Sequence, residues 1–120
     1  MKIENIKFRA KRLDNREWID GSLTHFKDVA YIRHEERDYN NRLYLITYKV
    51  NPYTVCQFTG LKDKNGTPIF EGDIVKYKDN NAERRGDINW DSKAAAFCFG
   101  QDFLVHYLSE NMEVIGNKFD

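Results

Sequence analysis

Residues 57–77 read Gln-Phe-Thr-Gly-Leu-Lys-Asp-Lys-Asn-Gly-Thr-Pro-Ile-Phe-Glu-Gly-Asp-Ile-Val-Lys-Tyr, and this stretch decides the fold. Apolar, strand-like runs flank a polar middle. Asn65-Gly66 supplies residues that accept positive φ, and Pro68 fixes the backbone just after them. Glu71-Gly72-Asp73 makes a second tight turn. Ile74-Val75-Lys76-Tyr77, β-branched and aromatic, is then expected to leave that turn as a strand. Two tight turns so close together, between apolar runs, specify antiparallel β structure. They carry no catalytic chemistry.

Working outward, the same grammar repeats. Residues 6–12 alternate, with Ile6, Phe8 and Ala10 on one face and Lys7, Arg9 and Lys11 on the other, which is the period of a half-buried strand. Asp14-Asn15 is expected to turn the chain, Glu17-Trp18-Ile19 to return, and Asp20-Gly21 to form a tight turn before Leu23. Tyr31-Ile32 reads as a short strand, and residues 34–38 as a charged loop or one helical turn. Residues 42–50 (Arg-Leu-Tyr-Leu-Ile-Thr-Tyr-Lys-Val) read as a strand buried on both faces over part of its length. Asn51-Pro52 ends it, because proline cannot donate to a sheet ladder.

Past the central stretch, residues 78–86 have almost no apolar content and read as a projecting hairpin loop. Strands are expected over 87–90 and 94–100, a short helix or irregular link over 102–110, and a last strand over 113–115 ended by Gly116-Asn117. Short strands at roughly ten-residue spacing are the pattern of a small barrel or sandwich. The fold class expected is all-β, as a single domain over 1–120. It divides near Asn51-Pro52 into an N-terminal β-hairpin and sheet subdomain (1–52) and a C-terminal half (53–120).

The bulk composition limits function. Nineteen basic side chains balance nineteen acidic ones, so no global field steers the chain towards nucleic acid or an anionic membrane. No apolar run approaches the roughly 20 residues that cross a bilayer, and no signal-peptide segment opens the chain. Cys56 and Cys98 each sit inside an apolar run and read as reduced core thiols, which points to a cytoplasmic location. His25, His34 and His106 lie far apart and no Cys-x-x-Cys pair occurs, so no metal and no cofactor is expected. Cys98 with His106 does not read as a nucleophile pair, because Phe97 and Phe99 place the thiol where it stays protonated.

One family carries this pattern of residues. Phe58-Thr59-Gly60-Leu61-Lys62-Asp63, then Asn65-Gly66, then Ile69-Phe70-Glu71-Gly72-Asp73-Ile74-Val75, resembles the central signature of the YopX family, small proteins encoded by phages and prophages. Ile6 to Ala10 resembles the family's opening, Trp18 with Gly21-Ser22-Leu23 its first hairpin, and Glu113 to Asn117 its close. The resemblance implies an all-β protein with an SH3-like barrel in its C-terminal half, in the cytoplasm of a bacterial host. It implies no established activity and brings no catalytic residues.

With no catalytic motif in the residues, the expected function is a non-enzymatic protein-binding or assembly module. It would act on a protein partner or by self-association, with the N-terminal sheet around Trp18, Tyr31 and Tyr44 as one contact surface. The alternative is a nucleic-acid-binding small barrel. Its candidate binding residues are Lys7, Arg9 and Lys11 on the first strand, with Arg84, Arg85 and Trp90 at and beyond the polar loop, where cation and aromatic would hold a strand.

Overall fold

A computed structural model describes residues 2–80 and 82–120. Among them no α-helix occurs, and eleven strands joined by turns and four short 3₁₀ segments make up two antiparallel sheets. Two compact units divide the chain, Met1–Gln57 and Phe58–Asp120.

In the first unit, β1 (Phe8–Lys11), β2 (Trp18–Phe26), β3 (Val29–Arg37) and β4 (Leu43–Val50) run as a meander, and the start of β5 (Cys56–Lys62) pairs with the free side of β1. Asp20-Gly21 is not a turn. Both residues sit inside β2, opposite Arg9 and Phe8. Glycine is needed there for approach, since a Cβ on Gly21 would lie 2.0 Å from the Arg33 carbonyl oxygen. The charged run 34–38 is not a loop or helical turn either. Residues 34–37 continue β3, with His34 opposite Ile46 and Glu36 opposite Tyr44. The reversal comes at Asp38, whose carboxylate accepts the backbone N–H groups of Asn40 and Arg42 at 2.8 and 2.9 Å.

Strand β4 is less buried than its composition suggests. It pairs with β3 on one side, and an isolated bridge from Arg12 to Val50 covers only its end. Leu43 and Leu45 are therefore 52% and 53% exposed. The unit's core is Ala10, Ala30, Ile32 and Val50, with Phe8, Ile19, Leu23 and Val55 packed around them. Asn51-Pro52 does end β4. The Asn51 side chain accepts the Tyr53 N–H as proline opens a 3₁₀ turn, Pro52–Thr54, and the Thr54 hydroxyl accepts the N–H of Lys11 at 2.9 Å.

The second unit holds most of the central stretch. Its five-stranded sheet runs in the order β10 (Asp102–Phe103), β9 (Ala96–Phe99), β8 (Glu83–Asp91), β7 (Asp73–Lys78) and β11 (Met112–Asn117). Separately, β6 (Pro68–Phe70) pairs with β5. No closed barrel occurs among the described residues, because β10 and β11 end the sheet unpaired with each other. Ile69, Val75, Tyr77, Ile88, Phe99, Leu104 and Met112 form the core.

Two buried aspartates explain why the signature has the residues it has. The Asp63 carboxylate accepts the N–H groups of Asn65 and Thr67 on one oxygen and of Val114 on the other, each at 2.9 Å. It thus ties the Asn65-Gly66 turn to β11. Asp73, fully buried, accepts the Phe70 N–H at 2.8 Å and the Asn117 side-chain amide at 3.0 Å. Between Phe70 and Asp73, Gly72 takes φ +86°, as the tight turn requires. Its N–H donates to the Ile88 carbonyl and its own carbonyl accepts the Lys118 N–H.

Strands β7 and β8 form the hairpin expected across the polar segment, with Ile74 opposite Asp87. The loop is much shorter than the composition suggests. Lys78 pairs with Glu83, so residues 83–86 are ladder, and of the described residues only 79, 80 and 82 lie outside it there; Asn81 is outside the described residues. Exposed, two-sided polar strands lack the alternation by which strands are read. Residues 102–110, expected as a short helix or irregular link, contain β10 followed by two 3₁₀ turns, Leu104–His106 and Ser109–Asn111. The last strand runs through Gly116-Asn117, with a register shift between Val114 and Gly116.

Candidate functional site

The candidate residues fall in both units. In the first, antiparallel pairing puts Arg9 opposite Asp20 and Lys11 opposite Trp18, and alternation puts Lys7 on the same face. Arg9 and Lys11 both lie over the Trp18 ring, at 4.6 and 5.5 Å from its centroid. The first strand's basic face is therefore a cation–aromatic layer with Trp18 half-buried beneath it. Tyr31 lies on this face too, opposite Thr24 and Lys49. Tyr44 does not. It pairs with Glu36 on the other face, where the Glu36 carboxylate accepts both the Tyr44 and Tyr48 hydroxyls and is held below the usual range by them.

In the second unit, Arg84, Arg85 and Trp90 do not converge. Adjacent strand residues point to opposite faces, which separates Arg84 from Arg85. Trp90 lies six residues along β8 from Arg84, about 20 Å at roughly 3.3 Å per residue. The Arg84 guanidinium reaches Asp102 at 3.2 Å and donates to the Tyr107 hydroxyl, and Tyr107 in turn donates to Asp102 at 2.6 Å. The hydrogen bonds from Tyr107 and then Arg84 hold the Asp102 carboxyl below its ordinary range, and the bond to Asp102 raises the Tyr107 hydroxyl. Arg84 thus pins β8 to β10 and to the turn after it. Trp90 is not a core tryptophan: it is 43% exposed and packs edge-on against Phe97 at 5.0 Å.

Phe97 leads to a feature that the sequence does not announce. It lines a cleft of about 700 Å³ with Leu61, Ala94, Ala96, Leu104 and Tyr107. On the rim, Phe103, Val105 and Leu108 are 42%, 83% and 58% exposed. Its polar groups are largely occupied within the fold. The Thr59 hydroxyl donates to the Ile69 carbonyl and accepts the Leu61 N–H, and the Tyr107 hydroxyl is engaged with Asp102 and Arg84. The cleft therefore makes little hydrogen-bonding demand on an occupant. It suits apolar, uncharged surface. Its walls come from β5, the Ala94 turn with β9, and the segment of β10 and the 3₁₀ turns, where no periodicity marks a face. The available signal was the density of apolar residues in a segment with neither helical nor strand period.

Elsewhere the chemistry is sparse. Among the described residues no group of three or more His, Cys, Asp or Glu side chains is placed to hold a metal. Cys56 and Cys98 are buried and form no disulfide; the Cys56 thiol donates to the Thr54 carbonyl at 3.2 Å, and burial pushes the Cys98 thiol pKa up. Among the described residues no helix is long and apolar enough to cross a membrane.

Against known proteins, no curated protein matches the chain. A family model described as YopX protein matches residues 7–120. That match takes in every strand of both sheets, the two buried aspartates, the Gly72 turn and the cleft, and on it the chain belongs to the YopX protein family.

Proposed function

We propose that the protein is a non-enzymatic assembly module that associates with a second copy of itself through the cleft of its C-terminal unit. One observation carries this reading: a knob and a hole lie side by side on one surface. Val105 and Leu108 are exposed at the rim of an apolar cleft whose Thr59 and Tyr107 hydroxyls are engaged internally. A two-fold axis turns such a neighbour pair into two equivalent contacts, each copy's ridge entering the other's cleft. Exposed apolar side chains gathered around one cleft are also the usual mark of a protein-binding surface. Balanced charge adds no repulsion between copies. In this reading the assembly works in the cytoplasm of a bacterial host, and two buried cysteines outside any disulfide support that location.

Light-scattering mass across a wide concentration range tests this. The parent protein should show twice the chain mass, and Leu108→Glu, at an exposed rim position, should show the chain mass with an unchanged melting temperature. A parent that remains a monomer at the highest soluble concentration overturns the reading. So does a Leu108→Glu protein that still dimerises.

A further inference from the structure

We propose that the open face of the first unit's sheet binds single-stranded nucleic acid, with Tyr31 as a base-stacking platform and Arg33 and Lys49 as phosphate contacts. This surface lies outside the dimerisation cleft and does not depend on that reading. Two adjacent rows of paired residues build it. Ser22 lies opposite Arg33 and Arg33 opposite Thr47; next to them Thr24 lies opposite Tyr31 and Tyr31 opposite Lys49. Ser22, Thr24, Tyr31, Arg33 and Thr47 together line a shallow cleft of about 470 Å³.

The chemistry of that lining is selective. It holds one tyrosine, three aliphatic hydroxyls and a guanidinium, with no carboxylate among them, and Lys49 stands directly across from the tyrosine. The lining itself and its neighbour Lys49 are positive, while Arg33 also borders a second cleft that Glu4, Asp20 and Glu35 line. Asp20 and Glu35 lie two residues along β2 and β3 from Ser22 and Arg33, and bound the patch on one side. Lys7, Arg9 and Lys11 extend the same face across β1.

The register places Arg33 two residues along β3 from the ring and Lys49 directly across from it on β4, so that phosphates next to a stacked base can each meet a cation. Stacking on an aromatic side chain needs an unpaired base, which selects single strands over duplex. Hydroxyls at Ser22, Thr24 and Thr47 supply short hydrogen bonds to phosphate or sugar oxygen. Arg84 and Arg85, which the sequence groups with Lys7, Arg9 and Lys11, are not part of this surface.

Fluorescence anisotropy of labelled single-stranded DNA and RNA of about 12 nucleotides, within the length that small β folds engage, tests the proposal. The full chain should bind at low salt, with log affinity falling against log salt by about 0.7 per phosphate neutralised. Arg33→Ala and Lys49→Ala should each flatten that slope by about 0.7. Tyr31→Ala should weaken binding about tenfold or more, and Tyr31→Phe should retain it, since stacking uses the ring and not the hydroxyl. No anisotropy change with either strand overturns the proposal, as do Tyr31→Ala and Arg33→Ala proteins that bind like the parent. Competition by a free mononucleotide at the strand's own affinity would assign the site to nucleotides and likewise overturn it. Tighter binding of duplex than of single strand would refute the stacking role of Tyr31.

Discussion

Replacing Asp63 separates the structural role of the central signature into parts that can be measured. Its carboxylate accepts three backbone N–H groups, two inside the Asn65-Gly66 turn and one from Val114 on β11. Asn65 and Thr67 are exposed, so water replaces their lost partner at about 1 kcal/mol each. Val114 is half-buried, and its orphaned N–H costs about 2 kcal/mol. Asp63→Ala should then destabilise by roughly 4 kcal/mol. In Asp63→Asn the amide oxygen keeps the turn bonds, and the amide nitrogen faces the Val114 N–H, so the loss should be about 2 kcal/mol.

Urea unfolding followed by circular dichroism measures both, with melting temperatures lowered by roughly 8 and 16 °C for the Asn and Ala variants at about 4 °C per kcal/mol. The pH dependence gives an independent check. Burial raises the Asp63 carboxyl, but the three backbone hydrogen bonds and the Thr67 hydroxyl outweigh it and leave the group below its ordinary range. A depressed folded pKa means stability that is present above the unfolded value, about 3.9, and lost as pH falls through the folded one. The parent's advantage over Asp63→Asn should therefore be full at neutral pH and shrink below about pH 4. Two variants equal in stability, or an advantage that grows in acid, would refute this account of the signature.

Three further outcomes follow from the same geometry. Gly72→Val should destabilise by about 1–3 kcal/mol, because φ is +86° and a Cβ would stand 3.2 Å from the Asn117 amide that holds Asp73; a melting temperature within a degree of the parent would refute the strained turn. Replacing residues 79–82 by Asn-Gly should leave the β7–β8 hairpin folded, whereas cutting through residue 85 removes the partners of Lys76, Tyr77 and Lys78 and should unfold it; equal circular dichroism spectra and melting for the two deletions would contradict the placed ladder. Cys98 should resist a bulky thiol reagent at neutral pH in the native state and react after unfolding, because burial raises its pKa; rapid native labelling mapped to Cys98 would show that it is not enclosed.

What could be read in the residues follows from how each signal arises. Tight turns demand particular backbone angles, so Asn65-Gly66 and Gly72 declare themselves, and the hairpin of β7 and β8 follows from the apolar runs on either side. Burial of Cys98 is legible because its neighbours are aromatic. Exposed strands are a different matter. Residues 34–37 and 83–86 are charged on both faces, so period two is lost and they read as loop. Gly21 looks like a turn residue because its true cause, the Arg33 carbonyl beside it, belongs to a strand twelve residues away. The edge position of β4 depends on which strand lies beyond it, and local composition does not encode that. The cleft is least legible of all, since its walls come from three separate segments between Thr59 and Ser109.

The central claim is that the rim ridge of one copy enters the cleft of another, and a photo-crosslinking residue at position 105 reports on that contact directly. Val105 is 83% exposed, so the substitution leaves the monomer's packing alone. On illumination the protein should form a covalent dimer, and mass spectrometry should place the crosslink on the partner copy within residues 94–97, at the cleft wall. Absence of a covalent dimer, or crosslinks confined to residues outside the cleft, would contradict the account.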